Sequence, residues 1–409
     1  LDIRSIIGNS EPVQVAVLDN GFTLIHVERN SDLVEARLVV ASGSLDDEIP
    51  GEMHFLEHLV AAHPRMGRLS QRYGTHNKRA DTGVANCSYQ AQTWRPQAGE
   101  LIQALAQMVF DPMIDTDSVE RERGIIQAEI KRGLNRARYI ERFRQRMHPS
   151  HPAYHHPARG WPETVEQIDA KVLALVHEQQ YTTRRSALIT AGNLHLEEIA
   201  AWVAPFLVGI AEGTDRDRKR SIVRMFEQTG EQEFRDKYVG SPSNDIYFPG
   251  TPLGRDRVLE TFCNRLFVEL DYGLLMQELR HKRSWVYDFS FAYGTWPFVV
   301  GSLSFEGVSA PYQDVTALTL DLMQNVSEQT FDEERLAWAK NNFLVAETVE
   351  IESKLSIKYL EEAWLCGELE LDYVECVKAV SELSPKEVFA IHQRRWRPDQ
   401  LCVVYFRPA

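Results

Sequence analysis

The feature that most restricts the fold is a repeat. Residues 168–181 read I-D-A-K-V-L-A-L-V-H-E-Q-Q-Y, and residues 383–396 read L-S-P-K-E-V-F-A-I-H-Q-R-R-W. At a constant offset of 215, Ile168 meets Leu383, Lys171 meets Lys386, His177 meets His392 and Tyr181 meets Trp396. Each segment has the pattern of an amphipathic helix. A short apolar run follows each, Ala187-Leu188-Ile189 in one and Leu401-Cys402-Val403-Val404 in the other. The offset is about half of the 409 residues, a length too great for one ordinary core. The chain therefore reads as two similar α+β domains, each an antiparallel sheet with helices packed on one side. The expected boundaries are 1–208 and 222–409, with the polar, charged stretch 209–221 as linker.

The N-terminal part reads as sheet. Val13 to Leu18 is a mostly apolar strand, Asp19-Asn20-Gly21 a tight turn, and Phe22 to Val27 the return strand. Leu38-Val39-Val40 forms a third strand, closed by Ser42-Gly43-Ser44. Helices are expected around 51–62, 97–110 and 116–147. The last carries Ile126, Ile130 and Leu134 on one face.

The most informative segment is Gly51 to Leu59, G-E-M-H-F-L-E-H-L. On a helix, His54 and His58 lie one above the other, so two imidazoles reach a single ion. Glu57 stands beside them. This order, H-x-x-E-H, is the inverzincin pattern. With a third protein ligand and one open position, zinc holds a water and lowers its pKa to around 7. Glu57 would act as the base that takes its proton. The helix at 116–147 offers Glu122 and Glu129, almost two full turns apart and on one side. One of these carboxylates can ligate zinc while the other holds a histidine ring.

Other function classes fit poorly. A net charge of −14 argues against nucleic-acid binding. No apolar run approaches the ~18–20 residues of a membrane span. Cys87, Cys263, Cys366, Cys376 and Cys402 are scattered with no C-x-x-C, which favours neither a thiolate zinc site nor a disulfide framework. That usage points to a reducing compartment such as the cytoplasm. A chain beginning at Leu1 leaves room for a removed leader, and with it a periplasmic or organellar location.

With H-x-x-E-H at 54–58 and E-R-x-x-x-x-x-E at 122–129, the chain resembles the pitrilysin family of zinc metallopeptidases, in its two-domain subunits of the mitochondrial processing peptidase type. The resemblance runs from the L-D-N-G turn at Leu18 to the C-terminus. It implies one Zn²⁺ per chain on His54, His58 and Glu129, with Glu57 catalytic and Glu122 holding a ligand. Residues 278–287, E-L-R-H-K-R-S-W-V-Y, look like the family's L-R-E-K-x-x-x-x-Y segment, with His281 in place of Glu. The match assigns substrate-facing donor roles to Arg280 and Tyr287. A guanidinium and a phenol suit a carbonyl or its tetrahedral oxyanion. The implied shape is a clamshell of which this chain forms half. The implied activity is endopeptidase cleavage of unfolded peptides or short polypeptides. Expected partners are the peptide substrate and an identical or related subunit, as a homodimer or heterodimer.

One region departs from the family pattern. Where N-A-x-T leads into the strand beside the metal, this chain has Gly74-Thr75-His76-Asn77-Lys78-Arg79-Ala80-Asp81, and only Asn77 matches well. The substrate-pairing edge strand is expected at Val84 to Gln90, including Ala85, Asn86, Cys87 and Ser88. His148, His151, His155 and His156 cluster among prolines and read as a loop resembling the family's H-P-Y-G-x-P segment. His177 and His392 read as helix-packing residues.

Overall fold

The computed structural model describes residues 13–214, 222–268, 273–294, 297–330, 332–353, 355–369 and 373–409. The expected linker at 209–221 lies outside the described residues from position 215 on. The first sheet contains β1 (Val13–Val17), β2 (Thr23–Glu28), β3 (Leu33–Val40), β4 (His76–Thr82), β5 (Cys87–Trp94) and β6 (Ser186–Gly192), in the order β1-β2-β6-β3-β5-β4. The second contains β7 (Gly230–Asp236), β8 (Ser243–Phe248), β9 (Asp288–Tyr293), β10 (Gly301–Glu306) and β11 (Cys402–Pro408), in the order β7-β11-β8-β10-β9. Apart from β1, the two orders match position for position. The repeat in the chain is thus a repeat in space.

Helices fill the connections. In the first half, apart from a single turn at Pro162–Val165, they are α1 (Glu52–Ala61), α2 (Pro64–Tyr73), α3 (Ala98–Phe110), α4 (Thr116–Met147), α5 (Ala170–Gln180) and α6 (Leu196–Val203). In the second they are α7 (Arg255–Val268), α8 (Tyr312–Gln324), α9 (Glu333–Ser353), α10 (Leu355–Cys366), α11 (Tyr373–Glu382) and α12 (Pro385–Arg395). The repeat histidines do the same work in both halves. His177 Nε2 bonds the carbonyl of Val109 at 2.8 Å, and His392 Nε2 that of Met323 at 2.6 Å. Each carbonyl belongs to the next-to-last residue of a 13-residue helix. Such end carbonyls have no partner within their own helix.

Two details differ from expectation. Each sheet contains one parallel pair, β2 with β6 and β11 with β7. In the first sheet β6 inserts between β2 and β3, and in the second β11 lies between β7 and β8. A strand inserted between two antiparallel strands must run parallel to one of them. Helices also cover both faces of the sheets rather than one, by an exchange between the halves. Ile25, Val27, Val39 and Ile189 of the first sheet pack against Ile357, Leu360 and Trp364 of α10. Tyr139 and Phe143, near the end of α4, pack with Phe234, Tyr247 and Phe406 of the second sheet. At 32 residues α4 is about 48 Å long, enough to serve both halves. Polar anchors accompany each crossing. Arg37 on β3 lies 2.8 Å from Glu361 of α10, and Arg142 of α4 lies 2.6 Å from Asp236 of β7.

Candidate metal centre

The geometry starts at the entry to α1. Asp47 accepts from the backbone N–H groups of Gly51 (2.8 Å) and Met53 (3.0 Å), and Glu52 accepts from those of Glu48 and Ile49. Carboxylates suit the positive end of a helix. Gly51 has φ of 101°, and a Cβ there would meet the Arg159 carbonyl at 2.8 Å. Gly160, with φ of 68°, abuts the Pro50 carbonyl so closely that no side chain fits. These two glycines let the 159–160 loop lie directly on the start of α1. The loop thereby delivers Arg159 to the site.

From α1, His54 and His58 point to one side, their rings edge to face with centroids 4.8 Å apart. From α4, Glu129 Oε2 approaches His58 Nε2 at 3.4 Å and His54 Nε2 at 3.9 Å. The three ligand atoms lie within 4.8 Å of one another. Donors around zinc at ~2.0–2.2 Å sit roughly 3.3–3.6 Å apart, so a small contraction closes the set. Glu122, about two turns back on the same side of α4, reaches His58 Nδ1 at 3.4 Å. It holds the ring so that Nε2 faces Glu129. Arg159 Nε lies 2.8 Å from Glu129 Oε1, leaving Oε2 toward the histidines. His54 Nδ1 is buried without a hydrogen-bond partner. The donor set of two imidazoles and a carboxylate fits zinc.

Burial keeps His54 neutral, its pKa depressed to about 3, with His58 and Arg159 adding to the effect. Its lone pair is therefore free to bind a cation. Glu57 is buried beside His54, with Oε2 4.0 Å from His54 Nε2. Burial first, then Asp81 and Glu129, push its pKa up to about 8, while a bond from Thr82 Oγ1 at 3.4 Å opposes this. Crowded carboxylates beside the neutral His54 imidazole make a site that a dication would relieve.

The expected edge strand is corrected. Val84 to Asn86 form the turn between β4 and β5, and Cys87 and Ser88 lie on β5, which pairs with β4 on one side and β3 on the other. An inner strand has no free backbone groups for a substrate. Asn86 instead donates to Glu361 of α10 at 2.8 Å. The terminal strand is β4. It carries Asn77, in a left-handed conformation with φ of 50°, where the register with β5 shifts. Thr82 at its far end touches Glu57.

Arg280 and Tyr287 do not touch the candidate ligands. Arg280 lies next to last in a short π-helical segment, Met276–His281, with its guanidinium 4.9 Å from the Tyr287 ring, which is exposed. Among the described residues, none of their polar or ring contacts reaches His54, His58 or Glu129. In the second half, α7 follows β8 as α1 follows β3, yet α7 contains no histidine.

Two family models match successive parts of the chain: Insulinase (Peptidase family M16) over residues 23–147 and Peptidase M16 inactive domain over 167–343. The chain belongs to the M16 peptidase family. The first match contains the His54, His58 and Glu129 cluster, and the second covers the histidine-free α7. Protease 3 of Escherichia coli is 25% identical over 219 residues, which is 49% of this chain. The match spans only 22% of that relative's length. Among solved structures, a protease from Helicobacter pylori is similar at a TM-score of 0.78 and 14% identity, covering 97% of this chain and 100% of that one. The first half of the periplasmic protease PqqL from Escherichia coli gives 0.76 at 16% identity, covering 97% and 92%. Pitrilysin gives 0.69 at 17% identity, covering 97% of this chain and 45% of its own. The M16 chain thus has the fold of one half of the longer proteins.

Proposed function

We propose that this M16 chain is a zinc-dependent endopeptidase acting on unfolded peptides or short polypeptides. The observation that carries the reading is the convergence of His54, His58 and Glu129 with Glu57 buried beside them. His54, His58 and Glu129 would hold the zinc, which when bound supplies Lewis acidity and a water of lowered pKa. Glu57 takes a proton at its carboxylate and returns it to the leaving amine. Glu122 and Arg159 orient the ligands. Strand β4, terminal in its sheet and touching Glu57 through Thr82, receives an extended peptide by β-augmentation. Arg280 and Tyr287, which make no described contact with this chain's own cluster, serve the cluster of a second, identical or related unit. That arrangement agrees with the likeness to one half of longer peptidases.

Glu57→Gln tests the reading. Zinc content by elemental analysis should stay at the wild-type level, while hydrolysis of a mixed peptide library should fall by more than the ~10²–10⁴ of an ordinary acid–base group, because Glu57 also positions the water. Substantial residual hydrolysis, free of contaminating protease, removes Glu57 from the mechanism. A zinc-free wild type without activity would instead mark a non-catalytic partner subunit.

A further inference from the structure

A second group of metal-binding side chains lies at the junction of the halves. His148 follows the last residue of α4, and His151 comes three positions later. Glu227 precedes β7 in the other half, and its backbone N–H donates to the Met147 carbonyl at 3.0 Å. Glu227 Oε1 lies 3.8 Å from His148 Nδ1 and 3.1 Å from His151 Nδ1. All three ligand atoms fall within 4.8 Å of one another. The same oxygen also accepts from the Ser150 N–H at 3.1 Å.

His148 supplies an independent observation. Its side chain is fully buried, and neither ring nitrogen has a hydrogen-bond partner. A neutral imidazole carries one donor and one acceptor. Phe226 and Phe298 pack edge to face around the ring at 4.8 and 4.9 Å. An aromatic face accepts weakly from an N–H but offers nothing to a nitrogen lone pair. The polar atom near Nδ1 is a carboxylate oxygen, which is also an acceptor. A proton there would face that oxygen at 3.8 Å, beyond hydrogen-bonding distance. His151 Nδ1 already lies within hydrogen-bonding distance of Glu227 Oε1, at 3.1 Å, but a cation between the two nitrogens and the oxygen would satisfy His148 as well. The separations of 3.1 and 3.8 Å bracket the ~3.3–3.6 Å between donors in a zinc site. His155 Nε2 bonds the His148 carbonyl at 2.7 Å, fixing the loop that presents the ligands.

We propose that His148, His151 and Glu227 bind a divalent transition-metal ion of the zinc class, which ties the end of α4 to the second half. His151 and Glu227 are partly exposed, so water completes the coordination. This role is structural and independent of the peptidase reading: a chain with an inert first centre would still load it.

The test uses the full chain with His54→Ala and His58→Ala, which empties the first centre. After equilibration with Zn²⁺ and removal of excess, this variant should retain about one zinc per chain, and its melting temperature should rise with metal. Adding His151→Ala, a change at a half-exposed loop residue, should abolish both the retained zinc and the metal-dependent rise. Glu227→Gln should weaken retention at least tenfold. Co²⁺ loading provides a second readout, as d–d absorption that depends on His151. The proposal is overturned if the His54→Ala, His58→Ala chain retains no zinc, or if its zinc and cobalt spectrum survive loss of both His151 and Glu227.

Discussion

Removing the Glu361 carboxylate should loosen the exchange of helices between the halves. Its side chain is 6% exposed and faces Arg37, 14% exposed, at 2.8 Å. The Arg37 Nε is not aimed along a hydrogen bond, so that contact is chiefly electrostatic. Asn86 donates to the same carboxylate, while Arg37 also donates to Gln90 at 2.6 Å and Ser88 at 2.7 Å. Breaking a buried pair from one side leaves an uncompensated charge and costs about 3–5 kcal/mol. The bonds to Gln90 and Ser88 remain and Arg37 keeps some solvent, so Glu361→Ala should cost about 3 kcal/mol, the low end of that range. Replacing both partners, as Arg37→Met with Glu361→Leu, should recover most of the loss, because well-packed apolar pairs are often neutral or better at such sites. The assay is urea denaturation followed by tryptophan fluorescence, with Trp364 of α10 buried next to the pair. A loss below ~0.5 kcal/mol in Glu361→Ala, the size of a surface substitution, would refute the argument. So would a double variant no more stable than the single one.

Glu129→Ala should sharply lower zinc occupancy at the first centre, whereas Glu122→Ala should weaken affinity by ~10–100-fold; metal titration giving the opposite order would exchange their roles. Tyr287→Phe should keep its zinc and lose ~10²–10³ in kcat. If Tyr287 acts on a second copy, mixing that variant with Glu57→Gln should restore about a quarter of wild-type activity through mixed dimers with one intact site; no recovery would place Tyr287 elsewhere in the mechanism. His392, held neutral by burial with its pKa lowered to about 4 from 6.5, has a folded-state value below its unfolded one. Its contribution is fully present above pH 6.5 and is lost as pH falls toward 4, roughly 3 kcal/mol in all. His392→Gln should flatten the stability profile between those limits, and an unchanged profile would show that the ring does not titrate there.

Much of this was legible in the residues. The 215-residue offset marked the duplication, and the two repeat histidines proved to bond equivalent helix ends. The spacing of His54, Glu57 and His58 and the two carboxylates of the helix at 116–147 are plain in the sequence, and α1 and α4 bring the His54, His58 and Glu129 ligand atoms within 4.8 Å of one another. What stayed hidden depends on neighbours in space. The pattern at Val84 to Gln90 is that of a strand, yet nothing local tells an inner strand from an edge. Arg159 was missed because its position follows from two glycines that let distant backbones touch, and Gly51 and Gly160 are the trace of it. The crossing of α10 onto the first sheet leaves no local mark, since an apolar helix face looks the same whichever half it covers.

That crossing also bears on synthesis. Both faces of the first sheet are closed only when α10 is present, and α10 ends at Cys366 while β6 ends at Gly192. At ~5–20 residues per second, the ribosome takes roughly ten to thirty-five seconds to make the intervening chain. Throughout that interval the emerging first half presents Ile25, Val27, Val39 and Ile189 to water or to whatever apolar surface is nearby. The nascent chain should therefore depend on holding factors during translation, and a genetic split between the halves should yield fragments that are soluble only when produced together.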